Sequence, residues 1–460
     1  MKYIFKILIG SFLIVLFSYN QVSAQRIPVP DTVSQNEKLY HLGRMWSEIK
    51  YNFVNMDQVN FDIDSLYRAY IPKIKNTKND YEFYQALKAF AAFFNDGHTT
   101  VWNNAAFYEM RDYFKMNLTD INKKVYAFCV RKSPETDSTW LGAEVIKISG
   151  IPTEKFLRDS IFPYVSASTE QSLWMQGVQN IHQDFEWKPF KATIVKTSGD
   201  TVSIKLKRNG EATRKPDDEY WGYKFDTSHE HVGFKYLRDS IGYLEVKSFH
   251  PKRDIIKKIK EQLPGIYEAN ALIIDLRKNG GGSTRNAWYL QSLLTEGDYF
   301  LNYGWQTRIN DGVKRANANR KSKYEDYGKN QALRYSSPDT ISVADSIRTI
   351  EVPVAILTGE HTYSAAEDFL VNLYEVPDRP VLIGRETGGS TGSPLVVPGL
   401  PYDGIIRICT RRICFPYSGK PFVNQGIKPD IHVEKSIENL INNRDAVLDT
   451  AVQYLLEKEL

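Results

Sequence analysis

Ser364 lies where an apolar run, Val352 to Leu357, gives way through Thr358-Gly359-Glu360-His361-Thr362-Tyr363 to a helix-like stretch that begins Ala365-Ala366-Glu367-Asp368-Phe369. A serine at a strand-to-helix corner presents its hydroxyl beside the free amides of a helix N-terminus. Those amides can stabilise the oxyanion formed when a carbonyl is attacked. The position also suits an ordinary N-cap serine, so a nucleophile there needs partners. One candidate partner is the apolar run Ala271 to Leu276, which leads through Arg277-Lys278-Asn279 into Gly280, Gly281 and Gly282. Glycines permit positive φ and close backbone approach, so this loop can direct an amide at a ligand, whereas a plain βα turn needs only one glycine. The absence of a GxxxxGK[ST] pattern, with the lysine preceding the glycines, excludes a phosphate loop. Another candidate is Asp96-Gly97-His98-Thr99-Thr100, which follows a helical run with aromatics at Phe83, Tyr84, Phe90, Phe93 and Phe94. An imidazole, with an ordinary pKa of about 6.5, suits proton transfer near neutrality.

Taken in order, DGHT at 96–99, DLRKNGGG at 275–282, TYSAAE at 362–367 and Gly426-Ile427-Lys428-Pro429-Asp430 resemble the S41 family of serine peptidases. That family includes the C-terminal processing proteases and the tricorn core protease, and the resemblance covers most of the chain beyond its first residues. It implies that Ser364 is the nucleophile and that the oxyanion hole is built from the amides of Gly281, or a glycine beside it, and Ala365. No cofactor and no metal are implied. The C-terminal processing branch takes its base from a lysine downstream of the serine, but at the corresponding spacing this chain has Gly389. The nearest basic residue, Arg385, stays protonated and cannot act as a base. Comparison with the tricorn-like branch therefore implies His98 as the general base. His361 is a rival, although it shares the serine's own turn and reaching back to the hydroxyl would require an unusual backbone. The tricorn-like branch supports its histidine with a neighbouring serine and a glutamate shortly before the GxxPD motif. Here Gly97 precedes His98, and Lys420 to Gln425 contains no carboxylate. Asp96, Thr99 and Asn424 are the candidates for orienting the imidazole.

The chain begins with a short basic stretch, Met1 to Lys6, then apolar Ile7 to Phe17, then Val22-Ser23-Ala24 before Gln25. This is the pattern of a signal peptide spanning 1–24, too short for a comfortable membrane span, and it predicts an exported protein of the periplasm, cell envelope or extracellular space. No stable membrane insertion is expected after cleavage. Loss of Lys2 and Lys6 with the leader lowers the formal charge from +4 to +2, which argues against a nucleic-acid partner. The 3 cysteines, Cys129, Cys409 and Cys414, do not form a disulfide scaffold, although Cys409 and Cys414 are spaced to pair across a hairpin or to remain free. His229-Glu230-His231 lacks a nearby third ligand and reads as surface loop.

At 460 residues the chain is too long for one core. Residues 36–112 read as an N-terminal helical domain, with Leu39, Leu42, Met45, Trp46 and Ile49 on one face and Leu66, Tyr67, Tyr70 and Ile71 on the next. Residues 113–210 read as short strands with one helix and look like a divergent PDZ-like, β-rich domain, a type of module that captures peptide ends by adding them to a sheet edge. Residues 230–460 alternate strands and helices as an α/β domain does; the resemblance implies a ClpP/crotonase-like catalytic fold. A polar stretch from Asn310 to Ala344 interrupts that pattern as a long loop, and Ile437 to Leu456 reads as a single closing helix. The expected whole is a multidomain α/β serine endopeptidase acting on peptide or protein substrates. The alternatives are a non-catalytic peptide- or ligand-binding protein on the same scaffold, and a serine hydrolase of another ester or amide.

Overall fold

The computed structural model describes residues 30–102, 115–182, 188–208, 218–224, 230–251, 254–310, 312–329 and 332–458. The leader at 1–24 and His229 lie outside them. Among the described residues no helix is long and apolar enough to cross a membrane, and no cluster of ligating side chains suits a metal.

The region from residue 230 onward is organised by a six-stranded sheet in the order Ile431–His432, Val381–Gly384, Val354–Thr358, Ala271–Asp275, Ile241–Val246 and Val232–Tyr236. All neighbours are parallel except the last pair. Parallel strands are covered on both faces, so they read as unbroken apolar runs; every residue of Ala271–Asp275 is buried. Their side chains alternate. Leu272, Ile274, Ile356 and Leu382 pack against Ile255, Ile259, Ala287, Leu290, Phe369 and Leu370 from the helices on one face. Ile273, Ala355, Leu357 and Ile383 pack against Ala451, Val452 and Leu455 on the other. In register, Asp275 sits beside Leu357, so the glycine loop and the serine turn leave the sheet side by side at the carboxyl ends of adjacent strands.

The N-terminal helices Gln35–Asn52, Ile63–Lys75 and Asp80–Ala92 each begin at a capping side chain, Ser34, Asp62 and Asn79. Their apolar faces do not close on themselves. Leu42, Met45, Ile49 and Phe90 share a core with Val397, Leu400, Ile406 and Ile408 of the hairpin Leu395–Leu400 and Gly404–Ile408. The strand Thr100–Trp102, which follows the histidine segment, pairs antiparallel with Gly404–Ile408, placing Thr100 opposite Arg407. Arg412 Nε donates to Asn55 Oδ1 at 2.8 Å, and Tyr402 Oη donates to Asp80 at 2.5 Å, stitching the same boundary.

The middle of the chain folds as an antiparallel sheet running Met116–Ile121, Lys124–Arg131, Glu144–Ile148, Phe190–Val195 and Thr201–Leu206, covered by the helices Thr153–Ser160 and Glu170–Asn180. Two expectations are corrected, and the choice left open for the cysteines is decided. The polar stretch after Asn310 carries the strands Leu333–Ser336 and Thr340–Ser342, which pair with Gly304–Arg308 and Tyr299–Leu301, so it is not one long loop. The closing helix is two, Ile437–Ile441 and Ala446–Lys458, broken near Asn443 at a φ of 55°. Cys409 and Cys414 are free and buried: Arg412–Cys414 leaves the hairpin to pair with Gly304–Arg308.

The second closing helix, Ala446–Lys458, is tied down at Arg277 through Asp445 just before it. Its guanidinium bonds Asp275 at 2.6 Å and Asp445 at 2.7 and 2.8 Å, while Tyr243 Oη donates to Asp275 at 2.7 Å. Burial alone would raise the Asp275 pKa; the adjacent guanidinium reverses this and holds it below the usual carboxylate range. Arg277→Met leaves Asp275 buried without a counter-ion, held by the Tyr243 phenol and the backbone amide of residue 277 alone, and should lower unfolding stability by about 3 kcal/mol in urea titrations. The depressed pKa adds the sign: the contribution is present above the unfolded aspartate value of ~3.9 and lost as pH falls below it, so the gap between wild type and variant should narrow in acid.

Candidate functional site

Ser364 opens the helix Ala365–Tyr374 with φ 57° and ψ −122°. A non-glycine residue there stores about 1–3 kcal/mol of backbone strain, which persists only where the surroundings over-determine it. They do so here. Tyr363 N–H donates to Asn279 O at 2.9 Å and Ser364 N–H to Ser390 O at 3.0 Å, while Glu367 N–H returns to Ser364 O at 2.8 Å. The result is a sharp strand-to-helix elbow that lifts Oγ clear of the backbone.

His98 is brought to this elbow from the other end of the chain. Its Nε2 lies 3.2 Å from Ser364 Oγ across 266 residues of sequence. Its Nδ1 lies 2.6 Å from Ser390 Oγ. The ring stacks on Tyr363, centroids 5.2 Å apart and 12° from parallel. Gly97 makes this approach possible, since a Cβ there would meet Tyr363 Oη at 1.9 Å. Burial, and then the positive charge of Arg407, hold the His98 pKa down to about 3, so the imidazole is neutral and one of its nitrogens is free to accept a proton.

The proposed orienting residues do not reach the ring. Asp96 accepts the His98 and Thr99 amides at 3.0 and 2.6 Å, so it shapes the turn that carries the histidine. Thr99 Oγ1 accepts from Cys409 N–H at 3.1 Å, and Asn424 turns away to Gln58. His361 is exposed and makes no bond to Ser364 among the described residues. The residue at the imidazole is Ser390, and behind it stands Glu367. The buried Glu367 carboxylate accepts the amides of Gly389 at 2.7 Å, Ser390 at 2.9 Å and Ser364 at 3.3 Å, and the Thr387 hydroxyl. Burial pushes its pKa up to about 8 against the pull of those donors. One carboxylate thus fixes both the serine and the loop that holds the histidine.

The middle unit braces that loop. Thr169 Oγ1 donates to Gly388 O at 3.0 Å, Gln171 Nε2 to Thr387 O at 3.2 Å, and Gly97 N–H to Ser168 Oγ at 3.0 Å. A cleft of about 1570 Å³ opens beside the pair, with Gly97, Tyr363, Gly280 and Arg407 on its wall.

Gly281 lies against the elbow, but its amide is already occupied. Its φ is 92°, and a Cβ would lie 2.6 Å from Ser364 Cβ and 2.9 Å from Ala365 N, so the loop touches the elbow. Its own N–H donates to Asn279 Oδ1 at 2.9 Å and is therefore not free for a ligand. The Ala365 N–H has no acceptor among the described residues.

Residues 240–433 match peptidase family S41. Mature CPAF is similar in fold at 15% identity and a TM-score of 0.65, over 92% of this chain and 96% of that one. Its complex with lactacystin gives 15% identity and a TM-score of 0.64, over 92% and 97%. A putative peptidase from Parabacteroides merdae gives 19% identity and a TM-score of 0.50, over 92% and 98%. No curated protein matches the sequence.

Gly281→Ala puts a methyl against the serine at a φ that alanine resists. It should abolish turnover by about 100-fold or more while circular dichroism shows the fold retained; a variant with wild-type turnover would separate this glycine from the site.

Proposed function

From the match of residues 240–433 to peptidase family S41 we propose an exported serine endopeptidase in which Ser364 is the nucleophile and His98 its general base. The observation that carries this reading is the contact between His98 Nε2 and Ser364 Oγ, made by residues from opposite ends of the chain inside a buried site. His98 Nε2 takes the Ser364 hydroxyl proton as Oγ bonds to the substrate carbonyl carbon, then gives that proton to the leaving amine as the peptide bond breaks. Water repeats the sequence on the acyl-enzyme. Ser390 Oγ accepts Nδ1–H and so fixes the tautomer that leaves Nε2 unprotonated. The oxyanion is met by the Ala365 amide and by the glycine loop, with Gly280, the glycine on the cleft wall, in the role first assigned to Gly281. Asp96 and Thr99 position the histidine segment. Residues 1–24 direct export and are removed before Gln25.

Cleavage of a mixed peptide library, followed by mass spectrometry, should fall by about 10⁴-fold or more in Ser364→Ala and in His98→Ala. Cleavage that survives His98→Ala would remove the histidine from its role. Ser390→Ala should lower kcat by about 100-fold with little change in KM, because it frees the imidazole rather than the substrate. Because the base is neutral above about pH 3, kcat/KM should not fall as pH drops through 6.5, where an ordinary imidazole takes up its proton. An acid limb centred near 6.5 would contradict this.

A further inference from the structure

We infer that Arg407 is a substrate anchor: its guanidinium binds a carboxylate of the peptide, either an acidic side chain or a free chain end, beside the serine–histidine pair. The inference deepens the peptidase reading and rests on it. Arg407 stands on Gly404–Ile408 opposite Thr100, two residues beyond His98, and lines the cleft next to Tyr363 and Gly97. Its guanidinium lies 4.6 Å above the ring of Trp102, which is itself 55% exposed. Stacking of this kind fixes the plane of an arginine and leaves its edge of N–H donors facing outward, the geometry that grips a carboxylate through two parallel bonds.

What makes Arg407 distinctive is the lack of a salt-bridge partner among the described residues: Asp96 is near enough to favour its charge, but its carboxyl faces the backbone of its own turn. The acids on the cleft wall are already engaged. Glu170 is paired with Lys123 at 2.8 Å, and Glu360 with Arg385 and with Lys435 at 3.4 Å. Glu82 accepts the Lys78 amide at 2.8 Å, and Lys73 is exposed to water. Asp96, the acid nearest in sequence to the pair, spends its Oδ1 on the two backbone amides of its own turn. Arg407 is half-buried and has no ion pair among the described residues. A cation partly withdrawn from water with no directly bonded counter-ion is held at a cost, and burial outweighs the nearby Asp96 in lowering the Arg407 pKa. The site therefore gains more from a carboxylate than from a neutral group of the same shape. Arg407 also makes His98 harder to protonate. A bound carboxylate offsets that charge at the moment the imidazole must accept the serine proton, which places the benefit in turnover as well as in binding.

The test uses matched fluorogenic peptides that differ by Glu against Gln at each position around the cleaved bond, and by a free acid against an amide at the C-terminus. With the wild type, the charged member of one pair should be favoured about 10- to 100-fold in kcat/KM. The position of the effect distinguishes an acidic side chain from a chain end. In Arg407→Gln that ratio should fall to about 1, and Arg407→Glu should turn the preference toward Lys at the same position; melting temperatures report whether each variant folds. Equal rates for every pair in the wild type, or a ratio unchanged in Arg407→Gln, overturn the anchor. If the wild type cleaves no peptide, the peptidase reading fails. The same labelled pairs, titrated by fluorescence anisotropy against Ser364→Ala with and without Arg407→Gln, then decide the anchor separately: selective binding of the carboxylate member that disappears with Arg407 supports it, and equal binding sinks it.

Discussion

The site depends on a hydrophobic core that belongs to neither half of the chain alone. Leu42, Met45, Ile49 and Phe90 of the N-terminal helices share one buried core with Val397, Leu400, Ile406 and Ile408, which come from a hairpin that follows the serine in sequence. That packing delivers the Asp96–Thr100 turn to the elbow, and the pairing of Thr100–Trp102 with Gly404–Ile408 sets its register. A shift of one residue in that pairing would turn every side chain to the other face and take Arg407 out of the cleft. The imidazole is therefore placed by tertiary contacts, with the local turn deciding only its final angle.

Around this frame the polar groups are economical. Glu367 reaches the amides of Ser364, Gly389 and Ser390 at once, so the elbow and the loop behind the imidazole cannot move independently. A carboxylate in a buried helix is costly unless each of its lone pairs is met. Here the donors that meet it are the ones whose positions matter. The helix Glu170–Asn180 holds the same loop from the other side, at Thr387 and Gly388, which couples the middle unit mechanically to the imidazole.

Much of this was legible in the sequence because it rests on local patterning. Two buried parallel strands read as apolar runs, each followed by the small residues that a tight turn needs, and Ser364 and Gly281 came out of those patterns, whereas His98 was indicated by the resemblance of its DGHT context. The N-terminal helix faces were legible for the same reason, with Leu42, Met45 and Ile49 fully buried. Ser390 was not, since Gly389-Ser390-Thr391 looks like any polar loop and acquires meaning only from what packs against it. Glu367 left a faint signal: an acid among Ala365, Ala366, Phe369 and Leu370 on a helix that is buried on all sides. Asn424 was a misreading caused by its proximity to the Gly426–Asp430 motif, since its side chain faces Gln58. The glycine loop shows a similar limit. Sequence indicates that a backbone comes close, but the Gly281 amide is claimed by Asn279 in a turn that only coordinates reveal.

The positive φ of Ser364 carries an evolutionary corollary. Position 364 is held where glycine would rest without strain, so the hydroxyl is kept against the backbone's preference. Selection for turnover and selection for stability oppose each other at this one residue. In a descendant that retained the scaffold for binding alone, the elbow would drift toward glycine. A serine preserved there across a lineage would then record continued use of the hydroxyl.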